Sequence, residues 1–130
     1  MIANLWTEAE AQEMQQAAGP DPRAREPALR VLTSRLIGRD PDLVMHGGGN
    51  TSLKSTAVDV FGEEVEVLHI KGSGWDLEVI EAVGLPAVRL VPLLQLRSLA
   101  ALSDEAMVNV QRLNLLDVST APRNPASWAP

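Results

Sequence analysis

Cysteine is absent from this sequence, and aromatic residues are scarce. Without a thiol in 130 residues, a disulfide framework, a thiolate metal site and a cysteine nucleophile are excluded. The aromatic residues are three Trp and one Phe, with no Tyr, so a surface that stacks nucleic-acid bases is not expected. The only histidines, His46 and His69, are too few for a metal site built on three imidazoles of one chain.

Positive charge and long apolar runs are also in short supply. Lys and Arg number 11 against 17 Asp and Glu, for a formal net charge of -6, which argues against a broad nucleic-acid or membrane footprint. Local anion binding stays open, because a nest of backbone N–H groups can hold a phosphate on an acidic protein. No apolar run approaches the length of a membrane span, and the acidic N-terminus is unlike a signal peptide. We expect a cytoplasmic protein that binds neither nucleic acid nor a membrane.

The composition is that of one globular domain. Hydrophobic residues make up 45% of the chain and charged residues 22%, which is ordinary for a protein with a real core. A capping box at 7–10 predicts a helix through about Ala18, and the segment 19–27 is predicted as a loop. Pro27 suits the first turn of a second helix, which carries apolar residues at helical spacing and ends at Gly38.

Strands and further helices are predicted for the rest of the chain. An apolar strand at 43–45 precedes three glycines, and a hairpin turn around 61–62 joins two more strands. Those two strands are predicted at 51–54 and 65–70, a last strand at 87–91, helices at 75–83 and 92–102, and a last helix that Ser103 caps. Met107, Val110, Leu113 and Asn114 are predicted to share a face of the last helix. Helices flanking a few central strands imply a layered α/β domain.

Two glycine-rich turns carry the most specific chemistry. The three glycines at 47–49 permit positive φ angles and close approach of a ligand to the backbone, and Asn50 adds a side-chain amide donor. The turn at 71–74 offers the Ser73 hydroxyl and the Gly74 N–H, and it lies just before a predicted helix start, which favours an anion. Two such turns at the ends of adjacent strands could close around one phosphate. The alternative is that both serve only to reverse the chain.

Three residues at the second turn have competing interpretations. Lys71 could screen a bound phosphate or could be an exposed lysine at the end of a strand. Trp75 is expected to pack as a lid on the core, and Asp76 is expected to cap a helix. A P-loop and a dinucleotide-binding Gly-x-Gly-x-x-Gly are absent. The His-Gly-Gly-Gly segment matches an esterase oxyanion motif, but Ser73 lacks the Gly-x-Ser-x-Gly spacing of a nucleophile.

The segments LVMHGGGNTSLK at 43–54 and LHIKGSGWDL at 68–77 resemble, in order and spacing, motifs of the class II aldolase/adducin family. The similarity is greatest to the N-terminal aldolase part of bifunctional rhamnulose-1-phosphate aldolase/short-chain alcohol dehydrogenases, and it covers about residues 25–122. It implies a three-layer α/β/α domain, incomplete at the C-terminus, that binds a ketose 1-phosphate beside zinc acting as a Lewis acid. The residues that match the family's phosphate-binding positions are Gly49, Asn50, Ser73 and Gly74.

The sequence departs from the family pattern after residue 122. Family members continue with Pro-Ser-x-Glu, whose Glu is the acid/base, and then with a His-x-His pair and a third His that bind zinc. Here Asn124 and Pro125 resemble the start of that segment, but no Glu and no His-x-His follow. We therefore predict a domain at 1–122, a disordered or frame-shifted tail at 123–130, no catalytic residue and no zinc bound by this chain alone. His46 and His69 are expected to be packing or polar-surface residues.

Two functions are compatible with these features. The first is the phosphate-binding portion of a zinc-dependent sugar-phosphate aldolase, inactive as this chain alone. The alternative is a non-catalytic, adducin-like binding module. In the family, later strands and helices complete the central sheet, so without them an apolar face is expected to be exposed, which predicts a homo-oligomer, a partner chain or poor solubility. The apolar residues assigned to that face are Leu93, Leu96, Leu113 and Leu116.

Overall fold

The computed structural model describes residues 3–72 and 74–117, which form helices and one small sheet. The helices are α1 (Glu8–Ala18), α2 (Pro22–Gly38), α3 (Leu90–Gln95) and α4 (Asp104–Leu113), and the strands are β1 (Ser52–Val58), β2 (Glu64–Ile70) and β3 (Ala87–Arg89). Three short 3-10 turns lie at Leu77–Val79, Ala82–Gly84 and Leu96–Ser98. The predicted tail at 123–130 and its residues Asn124 and Pro125 lie outside the described residues.

The two N-terminal helices follow local signals. The Thr7 hydroxyl oxygen accepts a hydrogen bond from the Glu10 N–H at 3.3 Å, so α1 begins where the capping box predicted. The prediction that α2 begins at Pro27 is wrong. The Asp21 carboxylate caps the helix by accepting from the Arg23 N–H at 2.9 Å, and Pro22 is its first residue. Proline is favoured at the first position of a helix, and here Pro22 occupies that position while Pro27 lies inside the helix.

The sheet is antiparallel, with its strands in the order β1-β2-β3. β1 and β2 form the predicted hairpin, in register from Ser52 opposite Ile70 to Val58 opposite Glu64. The Asp59 carboxylate stabilises the turn between them by accepting from the N–H groups of Phe61 and Glu63. β3 pairs with the other edge of β2, so β2 is the central strand.

Two predicted elements are not formed. The segment 43–45 is not a strand, and the side chains of Leu43 and Met45 are 47% and 84% exposed. The segment 75–83 forms two 3-10 turns instead of an α-helix. Ile80 has an extended backbone between those turns, its side chain is buried, and its carbonyl accepts from Arg35 Nε of α2 at 2.7 Å. Packing against α2 therefore overrides the helical spacing of this segment.

The C-terminal elements are shorter than predicted. The strand predicted at 87–91 ends at Arg89, because α3 begins at Leu90. The helix predicted at 92–102 is α3 followed by a 3-10 turn that ends at Ser98. In α4, which Ser103 caps as predicted, the buried residue is Val108, and Leu113 is 84% exposed. Leu113 therefore does not share a packed face with Met107 and Val110, which are half-buried.

The core lies between α2 and the segment that follows β2. Val31 of α2 packs with the buried side chains of Leu77, Ile80 and Leu85, and Trp75 covers this cluster as predicted. A second cluster holds α1 against α2. Of the four leucines expected on an exposed face, Leu113 alone is exposed, and Leu93, Leu96 and Leu116 are half-buried. Helices packed with a small antiparallel sheet are consistent with the α/β class.

Over residues 3–72 and 74–117, no helix combines the length and the apolar character that crossing a bilayer requires.

Candidate functional site

The two glycine-rich turns lie side by side at one end of the β1–β2 hairpin. Ser52, the first residue of β1, pairs with Ile70, the last residue of β2, so the chain that enters β1 runs beside the chain that leaves β2. The Lys71 N–H donates to the Thr51 carbonyl at 3.1 Å and extends this pairing by one residue. The structure thus places Thr51, which follows the first turn, beside Lys71, which begins the second.

Glycine is required by the backbone of the first turn. Gly47 and Gly49 have φ angles of 75° and 79°, in the left-handed region that other residues rarely adopt. A Cβ atom at Gly49 would also collide with Val44 Cγ1 and would lie 2.8 Å from Leu77 Cδ1. The Gly48 N–H donates to the Met45 carbonyl at 2.9 Å, which closes the turn on itself. Gly49 therefore fixes the turn against the core.

The predicted phosphate-binding residues are placed as follows. Gly49, Asn50 and Gly74 lie in the two adjacent turns, and all three are exposed. The Asn50 amide makes no hydrogen bond to any residue in the described part of the chain. Gly74 has a φ of 93°, and a Cβ there would meet open space. Ser73, the fourth predicted residue, lies outside the described residues.

Lys71 is half-buried at the edge of the second turn, so it is not a fully exposed lysine. Burial lowers the pKa of Lys71 from its ordinary value of 10.5, and the nearby negative charge of Asp76 offsets part of that change. A lowered pKa means that the ammonium group is less stable here than in water. An anion bound beside Lys71 would therefore be stabilised by a cation that has lost part of its hydration.

His46 and Asp76 form a pair that the sequence did not indicate. His46 Nδ1 lies 2.8 Å from Asp76 Oδ2, which links the first turn to the segment that follows the second. The two side chains differ in exposure, at 92% for His46 and 18% for Asp76. Asp76 also accepts from the Glu78 N–H at 3.4 Å, as its predicted capping role requires. No sequence pattern connects these two residues, because folding alone brings them together.

The predicted contribution of a helix start to anion binding is not supported. The second turn precedes Leu77–Val79, a single 3-10 turn of 3 residues, and not a long helix. The macrodipole that favours anions arises from many aligned peptide units, which this turn lacks. One of its N–H groups is already bonded to Asp76. The groups left at these turns that can contact an anion are the exposed backbone, Asn50 and Lys71.

The two histidines of the chain lie apart and have different partners. His69 lies on β2 with Nδ1 3.2 Å from the Leu85 carbonyl, and His46 is paired with Asp76. Among residues 3–72 and 74–117, no three His, Cys, Asp or Glu side chains are grouped as metal ligands. Because tetrahedral zinc needs at least three protein ligands, these residues do not fit the zinc implied by the family resemblance. We therefore derive no step through that metal.

The chain is similar to known proteins over most of its length. It is 33% identical over 123 residues, or 95% of its length, to the uncharacterized oxidoreductase YuxG of Bacillus subtilis (strain 168), of which it covers 16%. Among solved structures, the N-terminal class II aldolase domain of a conserved protein from Thermoplasma acidophilum is 32% identical, with a TM-score of 0.77. That match covers 96% of this chain and 53% of the other. No protein-family model matches the sequence.

Proposed function

We propose that this chain, whose similarity to a solved class II aldolase domain supports that family, is the phosphate-binding portion of a sugar-phosphate aldolase. The observation that carries the proposal is that two glycine turns adjoin the same end of the β1–β2 hairpin, where the exposed Asn50 amide makes no hydrogen bond within the described residues and Lys71 is half-buried. The alignment with YuxG includes nearly all of this chain but only 16% of that protein, so this chain corresponds to one segment of YuxG. The redox activity in that protein's name is therefore not transferred to this chain.

The residues of this chain would act on the phosphate group of the substrate. The Asn50 amide donates to a phosphate oxygen, and the exposed turns at Gly49 and Gly74 let the phosphate approach the backbone. Lys71 supplies positive charge at the same end of the hairpin. Anchoring the phosphate fixes the position of the sugar carbons relative to any catalytic group, which is how binding energy remote from the reacting bond assists a reaction.

The ligand we propose is a ketose 1-phosphate similar to rhamnulose 1-phosphate. In the intact family, cleavage is a retro-aldol reaction that also needs a zinc ion and an acid/base Glu. The described residues do not fit that metal, so we propose that the chain alone binds the sugar phosphate, holds no stoichiometric zinc and does not cleave the substrate. Retention of zinc after dialysis, or cleavage of rhamnulose 1-phosphate at an ordinary enzymatic rate, would contradict the proposed inactivity.

The binding test is a titration of the 15N-labelled protein with inorganic phosphate, rhamnulose 1-phosphate and free rhamnulose. We expect the amide signals of Gly49, Asn50 and Gly74 to shift with both phosphates and to respond weakly to the free sugar. In Asn50→Ala, the phosphate affinity is expected to fall about tenfold or more, because a hydrogen bond to a charged group is lost. Asn109→Ala, at an exposed position of α4, is the control and should bind as the unmodified protein does.

Two results of this titration would overturn the phosphate-binding proposal. One is the absence of any shift in the two turns with either phosphate. The other is an equal affinity in Asn50→Ala and Asn109→Ala, which would place the ligand elsewhere. Shifts that are as large with free rhamnulose as with its phosphate would assign the turns to the sugar and not to the phosphate.

We also propose that the chain forms a homo-oligomer through α4. Leu113 is the residue of the expected apolar face that is exposed, at 84%, and burying its side chain against a second copy would stabilise the assembly. Light scattering is expected to give a mass above that of one chain, and Leu113→Glu is expected to lower it. Phe61→Ser, at the equally exposed tip of the hairpin, is the control and should keep the oligomer. A monomer at all protein concentrations would contradict this proposal.

A further inference from the structure

The contact between His46 and Asp76 is the one polar side-chain contact between the segments of the two glycine turns in the described part of the chain. His46 precedes the three glycines, and Asp76 follows Gly74 by two positions. Their 2.8 Å contact fixes the entrance of the first turn to the exit of the second. If the turns hold one phosphate between them, this pair adds a polar side-chain contact to the backbone pairing that already sets their spacing.

The charges around the pair determine how an anion would be received. Asp76 is mostly buried, so its negative charge is poorly screened, and it attracts the Lys71 ammonium group. In the described residues, Asp76 is the ionic partner of His46. Asp40, six residues before His46 in the chain, has its carboxylate bonded to the Asp42 N–H and not to His46. The charge at the turns is therefore set by Lys71, Asp76 and the protonation state of His46.

We propose that His46 and Asp76 are positioning residues of the phosphate site, and that protonation of His46 converts the site to its tighter-binding form. The inference rests on the proposed function. A neutral His46 can donate one hydrogen bond to Asp76, which holds the turns together but leaves the carboxylate charge opposed to the ligand. A protonated His46 keeps the contact and adds a positive charge, so Lys71, Asp76 and His46 together become net positive.

The sign of the pH dependence follows from these charges. Low pH favours a protonated imidazole, and the site with a protonated His46 carries one more positive charge than the site with a neutral His46. Anion affinity is therefore expected to fall as the pH rises. The high exposure of His46 lets solvent screen this charge, so the expected change is about threefold to tenfold.

Sulfate is the probe for the test, because it is a tetrahedral dianion whose charge stays constant from about pH 5 to 8, unlike phosphate. Its affinity for the full chain is measured by 15N NMR at both ends of that range. His46→Asn keeps a donor for Asp76 but cannot gain a proton, so it should bind as the unmodified protein does at the higher pH and show no gain at the lower pH. His46→Ala removes the contact and should bind more weakly at both.

His69→Asn is the matched control, since His69 is the other histidine of the chain and lies on β2 against the Leu85 carbonyl. It should retain the full pH dependence. A pH dependence that survives in His46→Asn, or equal affinities for His46→Asn and His46→Ala, would overturn the inference while the phosphate site stands. If neither sulfate nor phosphate binds at any pH, the proposed function itself fails. Because His46 is exposed, none of these outcomes depends on a folding defect.

Discussion

Gly38→Ala is expected to destabilise the protein by about 2 to 3 kcal/mol, the cost of overpacking a tight contact. A Cβ atom at this position would lie 2.6 Å from the Leu77 carbonyl carbon and 2.8 Å from Glu78 Cα, and it would also collide with the Glu78 nitrogen. These are backbone atoms, which cannot move away by side-chain rotation. The end of α2 and the turn at Leu77–Val79 would have to separate, although alanine elsewhere favours a helix over glycine.

Urea unfolding measures this effect as a shift of the midpoint. Arg39→Ala, one residue later, is the control, because Arg39 makes only a 3.8 Å ion pair with Glu10 and both side chains are substantially exposed. Such a pair contributes less than about 1 kcal/mol. If Gly38→Ala were as stable as Arg39→Ala or more so, the result would contradict the close contact between Gly38 of α2 and the turn at Leu77–Val79. Separation of that turn should also displace Asp76 and weaken sulfate binding.

Local signals in the sequence account for the elements that were predicted well. The capping box at Thr7, the alternation along β2 and the Ser103 cap each describe neighbouring residues, and no distant contact opposes them in this fold. The start of α2 was misplaced because two prolines satisfy the same rule, and only the Asp21 cap distinguishes them. The helix predicted at 75–83 was wrong for a different reason, because Arg35 donates a hydrogen bond to the Ile80 carbonyl from across the core.

The candidate site also has parts that the sequence predicts and parts that it does not. The glycine turns and Asn50 could be predicted, because backbone freedom and an amide donor are properties of the residue types themselves. The pair of His46 and Asp76 is not visible, because it depends on the register of β1 with β2. The need for glycine at position 49 was predicted from backbone freedom, whereas its second cause, the closeness of Leu77, comes from packing.

Gly49→Ala is expected to lower the free energy of unfolding by about 2 to 4 kcal/mol and to abolish phosphate binding at ordinary ligand concentrations. Two independent costs add at this position. The φ angle of 79° strains any residue with a Cβ atom, and that atom would collide with Val44 Cγ1 and approach Leu77 Cδ1. Relief of the collision requires the first turn to move away from the core, which carries Asn50 away from Gly74.

Gly47→Ala separates these two costs within the same turn. Gly47 has a φ of 75°, but a Cβ atom there would meet nothing within 4 Å, so only the backbone strain of about 1 kcal/mol applies. Urea unfolding should therefore place Gly47→Ala between the unmodified protein and Gly49→Ala, and phosphate should still shift the Asn50 amide in Gly47→Ala. Equal losses of stability in the two variants would mean that strain alone governs this turn. The contact of Gly49 with Leu77 would then have no part in holding the turn against the core.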